Sequence, residues 1–230
     1  MVSNKTGGRI MLAALIIFFI VTITVLWIEI NNAVNSQKLV CRTNANYQYS
    51  KPYPPNSKAL YGINFNTTIM QPNFVYYIST RGGNRCDRCR YFKNDPYNMD
   101  NITYSDYTHS GFDRGHLVPN ADYGEKTFYI TNVVPMEHEY NAGVWAKSEQ
   151  FIRTKYHGYL VYKGCLFTDR YEVLPNGKRL YIPYGCYYIV FDSKVLPKNG
   201  LFTGSVLDYG YLEMIDGAKD VKKMPYWISC

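Results

Sequence analysis

The sequence has little charge, few tryptophans and no internal repeat. Charged residues make up 19% of the 230 residues and hydrophobic residues 47%, and this balance excludes intrinsic disorder of the whole chain. The absence of a repeating period excludes a repeat architecture. Only 3 tryptophans accompany 24 tyrosines, so the core must be built largely from phenol rings. The length fits one sizeable domain.

An uncharged apolar run lies near the N-terminus. Residues 10–28 carry no charge, and a helix of that length just crosses the hydrocarbon core of a bilayer. Basic residues lie only on its N-terminal flank, which predicts a cytoplasmic segment at 1–9, a transmembrane signal-anchor at 10–28 and a lumenal or extracellular remainder. A cleaved signal peptide is the alternative, because residues 34–36 offer a small-residue cleavage site; the product would then be secreted.

The cysteines do not have the spacing of a structural zinc site. Cys86 and Cys89 form a Cys-x-x-Cys pair, but no second cysteine or histidine pair stands at ligand spacing, and such a site needs four ligands. All six cysteines follow the apolar run, in the part of the chain that we expect in an oxidising compartment. We therefore predict disulfides, with the pairing left open.

The predicted exported part is basic. The whole chain has a formal charge of +7, and +6 remains after residue 30, which favours anionic partners such as nucleic acid or membrane headgroups. Residues 29–57 are polar and end in a proline cluster, so we expect a tether there and the main domain at 58–230. Sequons at Asn66 and Asn101 are compatible with a glycoprotein in the exported topology.

Short apolar runs and turn clusters alternate from about residue 60. One helix is predicted between about 137 and 156, where apolar residues follow approximate helical spacing. The fold class is therefore α+β with a central antiparallel sheet, preceded by the N-terminal transmembrane helix. The predicted strands are 61–65, 74–80, 128–134, 159–167, 180–191 and 201–211.

The most informative segment joins a polar turn to the predicted helix. Asn141, Trp145 and Glu149 are four residues apart, so an amide, an indole and a carboxylate lie on one helical face. Upstream, the sequence Asp-Arg-Gly-His at 113–116 ends the turn, and the run 128–134 returns as a strand. We expect a hairpin packed on the helix, with the imidazole of His116 beside the amide and the carboxylate.

These residue types suit the hydrolysis of a phosphodiester. His116 can take a proton from water as the general base near neutral pH. The catalytic and substrate-binding arginines Arg90 and Arg114 can donate bidentate hydrogen bonds to phosphate. Asn141 offers an uncharged oxygen as a direct ligand of Mg²⁺, and Glu149 can orient the ion through its water shell.

The motifs resemble those of the DNA/RNA non-specific endonuclease family. This ββα-metal (His-Me finger) family includes secreted bacterial sugar-nonspecific nucleases and mitochondrial endonuclease G. The Asp-Arg-Gly-His run at 113–116 matches the family signature, residues 131–135 match its Asn-x-x-Pro strand end, and Asn141 matches its metal-ligand asparagine. Trp145 and Glu149 fall at the family's helical spacing.

The resemblance extends over about residues 60 to 195. Residues 90–96 resemble a segment with a phosphate-binding arginine, and Ile182-Pro183 with the following tyrosines resembles a later core strand. The resemblance implies a nuclease that needs Mg²⁺, or alternatively Mn²⁺, and that cleaves DNA and RNA with little sequence preference. It also implies that His116 is the general base and that Arg114 lies in the active site. Met136 departs from the family, which usually has Gln there, and leaves local hydrogen bonding or substrate contacts open.

Ordinary structural roles are alternatives for most of these residues. Asn141 alone would suggest a helix cap, Glu149 a solvated carboxylate and Arg90 a surface ion pair. We expect packing for Trp145, a turn-stabilising role for Asn132, and ordinary surface or core positions for His109, His138 and His157.

Two other functions remain open at this point. A catalytically inactive ectodomain could use the basic face to hold nucleic acid or another polyanion at a membrane. A disulfide-rich structural ectodomain could bind protein through its tyrosines. Neither alternative needs a histidine base at the observed spacing from an asparagine and a glutamate.

Overall fold

A six-stranded antiparallel sheet organises the protein. In this computed structural model, the residues described are 51–55, 58–96, 103–108, 110–198, 202 and 204–214. The strand order is β1-β2-β3-β6-β7-β8, and every neighbouring pair is antiparallel. The strands are β1 Lys51–Tyr53, β2 Tyr61–Asn66, β3 Gln71–Ile78, β6 Leu160–Val173, β7 Arg179–Phe191 and β8 Val206–Glu213.

A separate two-stranded sheet carries the Asp-Arg-Gly-His signature. It consists of β4 Asp113–His116 and β5 Val133–Met136, which pair antiparallel with His116 opposite Val133. The short helix α1, Asn120–Tyr123, follows β4. The predicted pairing of the signature with the returning segment is therefore confirmed, and the architecture is a sheet-dominated α+β fold as expected.

The predicted strand at 128–134 is wrong over its first five residues. Residues Ile130–Asn132 form a 3-10 turn, and the strand begins at Val133. The side chain of Asn132 accepts a hydrogen bond from the Val118 backbone and donates to the carbonyls of Val118 and Thr127. These bonds pair backbone groups of Val118 and Thr127 without a strand ladder. They give Asn132 its predicted turn-stabilising role.

The predicted helix is present but interrupted by a wider turn. Helix α2, His138–Tyr140, continues through a π-helical turn, Asn141–Trp145, into helix α3, Ala146–Lys155. Asn141 lies inside this helical run, so the cap interpretation is wrong. A π-helical turn is wider than an α-helical turn, because its hydrogen bonds span five residues instead of four. Such turns are frequent at functional sites.

The core between the main sheet and the helical run is rich in tyrosine, as the composition predicted. Trp145 and Ile152 from the helical run pack into this core with Val161 and Cys186 from the sheet. The predicted tether also contributes, because β1 pairs with β2, so the sheet begins before residue 58. The buried tyrosines of this cluster are Tyr53, Tyr61, Tyr77, Tyr140, Tyr156 and Tyr188.

Every cysteine in the described ranges is in a disulfide. Cys86 pairs with Cys89 in a loop, and Cys165 pairs with Cys186 across neighbouring positions of β6 and β7. The bond at Cys86 contradicts the zinc alternative there. No helix within the described ranges is long and apolar enough to span a membrane, and the predicted segment 10–28 lies outside those ranges.

Candidate active site

The β4–β5 pair fixes the backbone of the signature. Gly115 lies opposite Val134, and a Cβ at residue 115 would overlap the sulfur of Met136. Met136 is fully buried. The sulfur-containing side chain that replaces the family's usual glutamine therefore packs against the glycine of the signature, so its role in this chain is packing.

His116 ends β4, and its ring contacts two aromatic side chains that also contact each other. The ring centroids of Phe92 and Phe128 lie 5.0 Å and 4.8 Å from that of His116. The ring nitrogen Nε2 is buried and has no hydrogen-bond partner within the described ranges. Burial, followed by the positive charge of Lys163, lowers the pKa of His116 to about 4. The imidazole is therefore neutral at pH 7 and has a nitrogen available to accept a proton.

A polar cluster lies at the other end of β4. The Asp113 carboxylate oxygen Oδ2 accepts a hydrogen bond from Nδ2 of Asn141 at 3.1 Å and lies 2.9 Å from Nδ1 of His138. This contact turns the amide nitrogen of Asn141 toward the carboxylate and leaves its oxygen Oδ1 for another partner. His138 is exposed, as expected, but it contacts the site through Asp113.

Trp145 connects the helical run to the strand of the base. Its indole nitrogen donates to the backbone carbonyl of His116 at 2.9 Å, and its side chain is buried, which confirms the predicted packing role. The ammonium group of Lys163 lies 4.4 Å from the centroid of the Trp145 ring. The indole therefore lies against both the imidazole-bearing strand and a buried cation.

Glu149 belongs to a buried cluster of charges. Its Oε1 lies 3.2 Å from Nζ of Lys163, which is fully buried on β6. Its Oε2 lies 3.8 Å from Nη1 of Arg153, which also lies 3.5 Å from Oδ2 of the buried Asp122. Burial raises the pKa of Glu149 and lowers that of Lys163, each against the pull of its partner. Glu149 is therefore not a solvated helix carboxylate.

Arg114 is held by aromatic rings. Its guanidinium carbon lies 4.0 Å from the ring centroid of Tyr104 and 5.7 Å from that of Tyr107. Its Nη2 donates to the Tyr104 carbonyl at 3.1 Å and to the Thr108 hydroxyl at 3.4 Å. Arg114 is partly buried, and its Nε is a buried atom that has no hydrogen-bond partner within the described ranges. It retains donors for an anionic ligand.

Arg90 is exposed and lies two residues before Phe92, which contacts the His116 ring. Within the described ranges no ion pair includes Arg90, so the surface ion pair considered as its alternative role is not seen. The structure thus joins Trp145 to His116, and Lys163 to both Trp145 and Glu149. Asn141 is bonded to Asp113 at the other end of β4, and the expected position of the imidazole beside the amide and the carboxylate stays a prediction. The structure does not join Arg90 to these residues by a hydrogen bond.

Five of the residues that complete these contacts were not assigned a role in the site from the sequence. Arg153 could have been found, because it follows Glu149 by one helical turn. Lys163 had a weaker signal, since it is the single charge among the first nine residues of the strand that begins at Leu160. The missed residues are Asp113, Asp122, His138, Arg153 and Lys163.

The available ligands suit a hydrated Mg²⁺ ion. Within the described ranges no group of three or more histidine, cysteine, aspartate or glutamate side chains is arranged to hold a metal. The Asn141 amide and the adjacent Asp113 carboxylate are hard oxygen donors. Mg²⁺ commonly keeps several waters and takes few protein ligands, so this donor set fits it better than zinc.

Three comparisons relate the chain to known proteins. A family model described as DNA/RNA non-specific endonuclease matches residues 42–218. The mitochondrial nuclease EXOG of Xenopus laevis is 40% identical over 70 residues, which are 27% of this chain and 20% of that protein. Nuclease C1 of Cunninghamella echinulata var. echinulata is 28% identical over 158 residues, which are 56% of this chain and 63% of that protein.

A solved structure shares the fold. A chain in the crystal structure of the EndoG/EndoGI complex aligns with a TM-score of 0.53 and 19% identity, covering 72% of this chain and 76% of that one. The matches to the two nucleases span less than two thirds of the length of either relative.

Proposed function

Because the chain belongs to the DNA/RNA non-specific endonuclease family, as the match over residues 42–218 shows, we propose that it is an endonuclease that hydrolyses phosphodiester bonds of DNA and RNA with little sequence preference. The observation that carries the proposal is the state of His116. A neutral imidazole suits a general base when its buried Nε2 has no hydrogen-bond partner among the described residues. A module that only binds polyanions needs positive charge but does not need such a base.

His116 removes a proton from the attacking water through Nε2 in this proposal. Phe92 and Phe128 hold the ring in place, and the hydrogen bond from Trp145 to the His116 carbonyl holds its backbone. Burial, followed by the charge of Lys163, lowers the pKa of His116 and so keeps the imidazole neutral. Because the pKa is about 4, the base is fully available at pH 7, although its proton affinity is modest.

The arginines and the Asn141 amide bind the charged groups. Arg114 donates to the phosphate oxygens from its guanidinium, which the ring of Tyr104 orients. Arg90 is the second proposed phosphate ligand. Asp113 fixes the Asn141 amide, whose Oδ1 would be the direct ligand of Mg²⁺.

Bound Mg²⁺, or Mn²⁺ in its place, would neutralise charge on the phosphate and on the departing oxygen. Glu149 would accept hydrogen bonds from water molecules bound to the metal. Lys163 and Arg153 keep the Glu149 carboxylate in one orientation for that role.

The first test is degradation of plasmid DNA and of RNA by the purified full-length chain. We expect cleavage of both with Mg²⁺ and none with EDTA, and the His116→Ala variant purified in parallel controls for contaminating nucleases. Fragment ends from a random-sequence duplex should show little consensus, because phosphate contacts carry no sequence information. Binding without cleavage in the presence of Mg²⁺ would instead favour the polyanion-binding alternative.

We also propose that the domain is exported and attached to a membrane through residues 10–28. The two disulfides support an oxidising compartment. A C-terminal tag should be protected from protease in intact vesicles, and a tag accessible from the cytoplasmic side would contradict the orientation. A mature N-terminus near Gln37 would show that the segment is a cleaved signal and that the product is secreted.

A further inference from the structure

A basic cleft lies beside the charged cluster of Glu149 and is not used by the proposed reaction. Its volume is about 590 Å³, and the described residues that line it include no acidic side chain. Arg81, Arg85 and His157 are exposed at the cleft. The cleft is lined chiefly by Arg81, Gly82, Gly83, Arg85, Arg153 and His157.

The loop that supplies Arg81 and Arg85 is attached to helix α1. The Thr80 backbone and hydroxyl both donate to Oδ1 of Asp122, at 2.6 Å and 2.9 Å. The Asn84 side chain donates to the Asp122 carbonyl at 2.7 Å, and the Cys86 backbone donates to Oδ1 of Asn120 at 3.0 Å. These bonds fix both ends of the loop to the element that directly follows the strand of His116. The arginines therefore have a defined position relative to the base.

The cleft keeps free cationic groups at its rim. The charge of Arg153 at its wall is balanced by Asp122 and Glu149. Among the described residues, Arg85 forms an ion pair with the exposed Asp87 at 2.8 Å, and such surface pairs are weak enough to open for a stronger anion. Within the described ranges Arg81 is in no ion pair. Two guanidinium groups are thus available for an anion.

The position of the cleft indicates which anion it would take. Arg153 lies twelve residues after Asn141, the proposed metal ligand, on the same helical run, which is roughly 18 Å along the helix. Phosphates of one nucleic-acid strand follow each other at roughly 3.4 Å along the helix axis. The cleft therefore lies roughly five nucleotides along a strand from a phosphate that is cleaved beside Asn141.

We propose that Arg81 and Arg85, with His157 beside them, form a second phosphate-binding subsite for a nucleic-acid backbone phosphate that flanks the scissile one. This inference rests on the proposed nuclease function and specifies how the substrate is held. Its consequence is that a polynucleotide should be bound better than a single phosphodiester, and that part of its affinity should depend on salt through these two arginines.

The test compares a substrate that has flanking phosphates with one that has none. The full-length Arg81→Ala/Arg85→Ala variant is assayed with Mg²⁺ on a double-stranded oligonucleotide and on bis(p-nitrophenyl) phosphate. We expect its loss of kcat/KM on the oligonucleotide to exceed its loss on the small diester by about tenfold, mainly through KM. The matched control is Arg179→Ala/Lys198→Ala, which removes two exposed cations that do not line the cleft and should show no such difference. Arg81→Lys/Arg85→Lys should restore part of the loss.

Binding without cleavage separates this inference from the proposed function. In EDTA, the plot of log association constant against log salt concentration for a labelled oligonucleotide has a negative slope. The magnitude of this slope should be smaller by about 1.8 in the double alanine variant, since each lost phosphate contact contributes about 0.9. An unchanged slope, or equal losses on both substrates, would overturn the subsite. If the wild-type chain binds the oligonucleotide but cleaves neither substrate with Mg²⁺, the nuclease proposal fails, whereas the slope still decides the subsite.

Discussion

The two ends of the helical run from His138 to Lys155 are built differently. At the N-terminal end, Asn141 and His138 make hydrogen bonds to one carboxylate, and all of these groups retain exposure to solvent. At the other end, Glu149 is surrounded by buried or nearly buried charges, including a fully buried lysine. Trp145 lies between the two ends and contacts the strand of His116.

The difference teaches that one helical face can serve two electrostatic purposes. The exposed end can exchange its water for a cation or a substrate group, because its polar atoms are not all committed to the protein. The buried end cannot exchange its partners cheaply, since an unpaired charge in the interior costs several kcal/mol. In the proposed reaction it would orient the Glu149 carboxylate and supply the positive charge near the imidazole.

The largest effect should come from removing the base that lies between the two ends. His116→Ala should lower kcat by roughly 10²- to 10⁴-fold, because no other group replaces the proton acceptor. Binding of an oligonucleotide in EDTA should be retained. Both are measured on the purified full-length variant, with His109→Ala as a control for removal of a histidine elsewhere. Cleavage at a near-normal rate by a folded His116→Ala variant would exclude the proposed mechanism.

The next largest effect should be the loss of stability when the buried end is broken. Lys163→Met leaves Glu149 without its nearest cation, and breaking a buried pair in this way costs about 3–5 kcal/mol of unfolding free energy. His138→Ala at the exposed end should cost under about 1 kcal/mol, because it removes an exposed contact. Denaturant unfolding curves measure both.

A double variant sharpens this contrast. Lys163→Met/Glu149→Gln removes both charges, so we expect it to be more stable than Lys163→Met alone, with a non-additive term above about 0.5 kcal/mol. Additive losses would mean that the two residues stabilise the fold independently, and the buried end would then not be a coupled pair.

The exposed end should respond to metal concentration. Asn141→Ala removes the proposed direct ligand, and Asp113→Asn weakens the hydrogen bond that orients the amide. We expect the Mg²⁺ concentration for half-maximal cleavage to rise by about 10- to 100-fold in Asn141→Ala and by less in Asp113→Asn. Excess Mg²⁺ should recover part of the rate in these variants but not in His116→Ala. A rate that is low and independent of added Mg²⁺ would contradict the assignment of Asn141.

The same contrast explains what the sequence could and could not predict. Asn141 and Glu149 were found because helical spacing and the signature depend on local order along the chain. The role of Lys163 was not predictable, since a charge in a strand does not reveal which side chain it faces across the fold. The strand expected at 128–134 was wrong because its apolar residues, such as Phe128 and Ile130, report burial, which a buried turn also satisfies.

The smallest expected effect is on the acid side of the pH profile. A histidine with the usual pKa near 6.5 would retain only about 3% of its neutral form at pH 5, whereas His116, with its pKa lowered to about 4, retains about 90%. The rate constant for cleavage should therefore fall by less than about twofold between pH 7 and pH 5. Measurement at saturating Mg²⁺ and substrate tests this, and a steep loss near pH 6.5 would contradict the proposed state of the imidazole.

The pH dependence of the unfolding free energy should also report the protonation of His116. Because the pKa of His116 is lower in the folded protein than in the unfolded chain, the unfolded chain binds more protons at pH values between them. The contribution of His116 to stability is therefore complete above about pH 6.5 and is lost as the pH falls toward 4. His116→Ala should flatten that part of the curve of unfolding free energy against pH. Since the charge of Lys163 also lowers this pKa, Lys163→Met should move the acid limb of the activity profile to higher pH, and that shift would link the buried end of the helical run directly to the base.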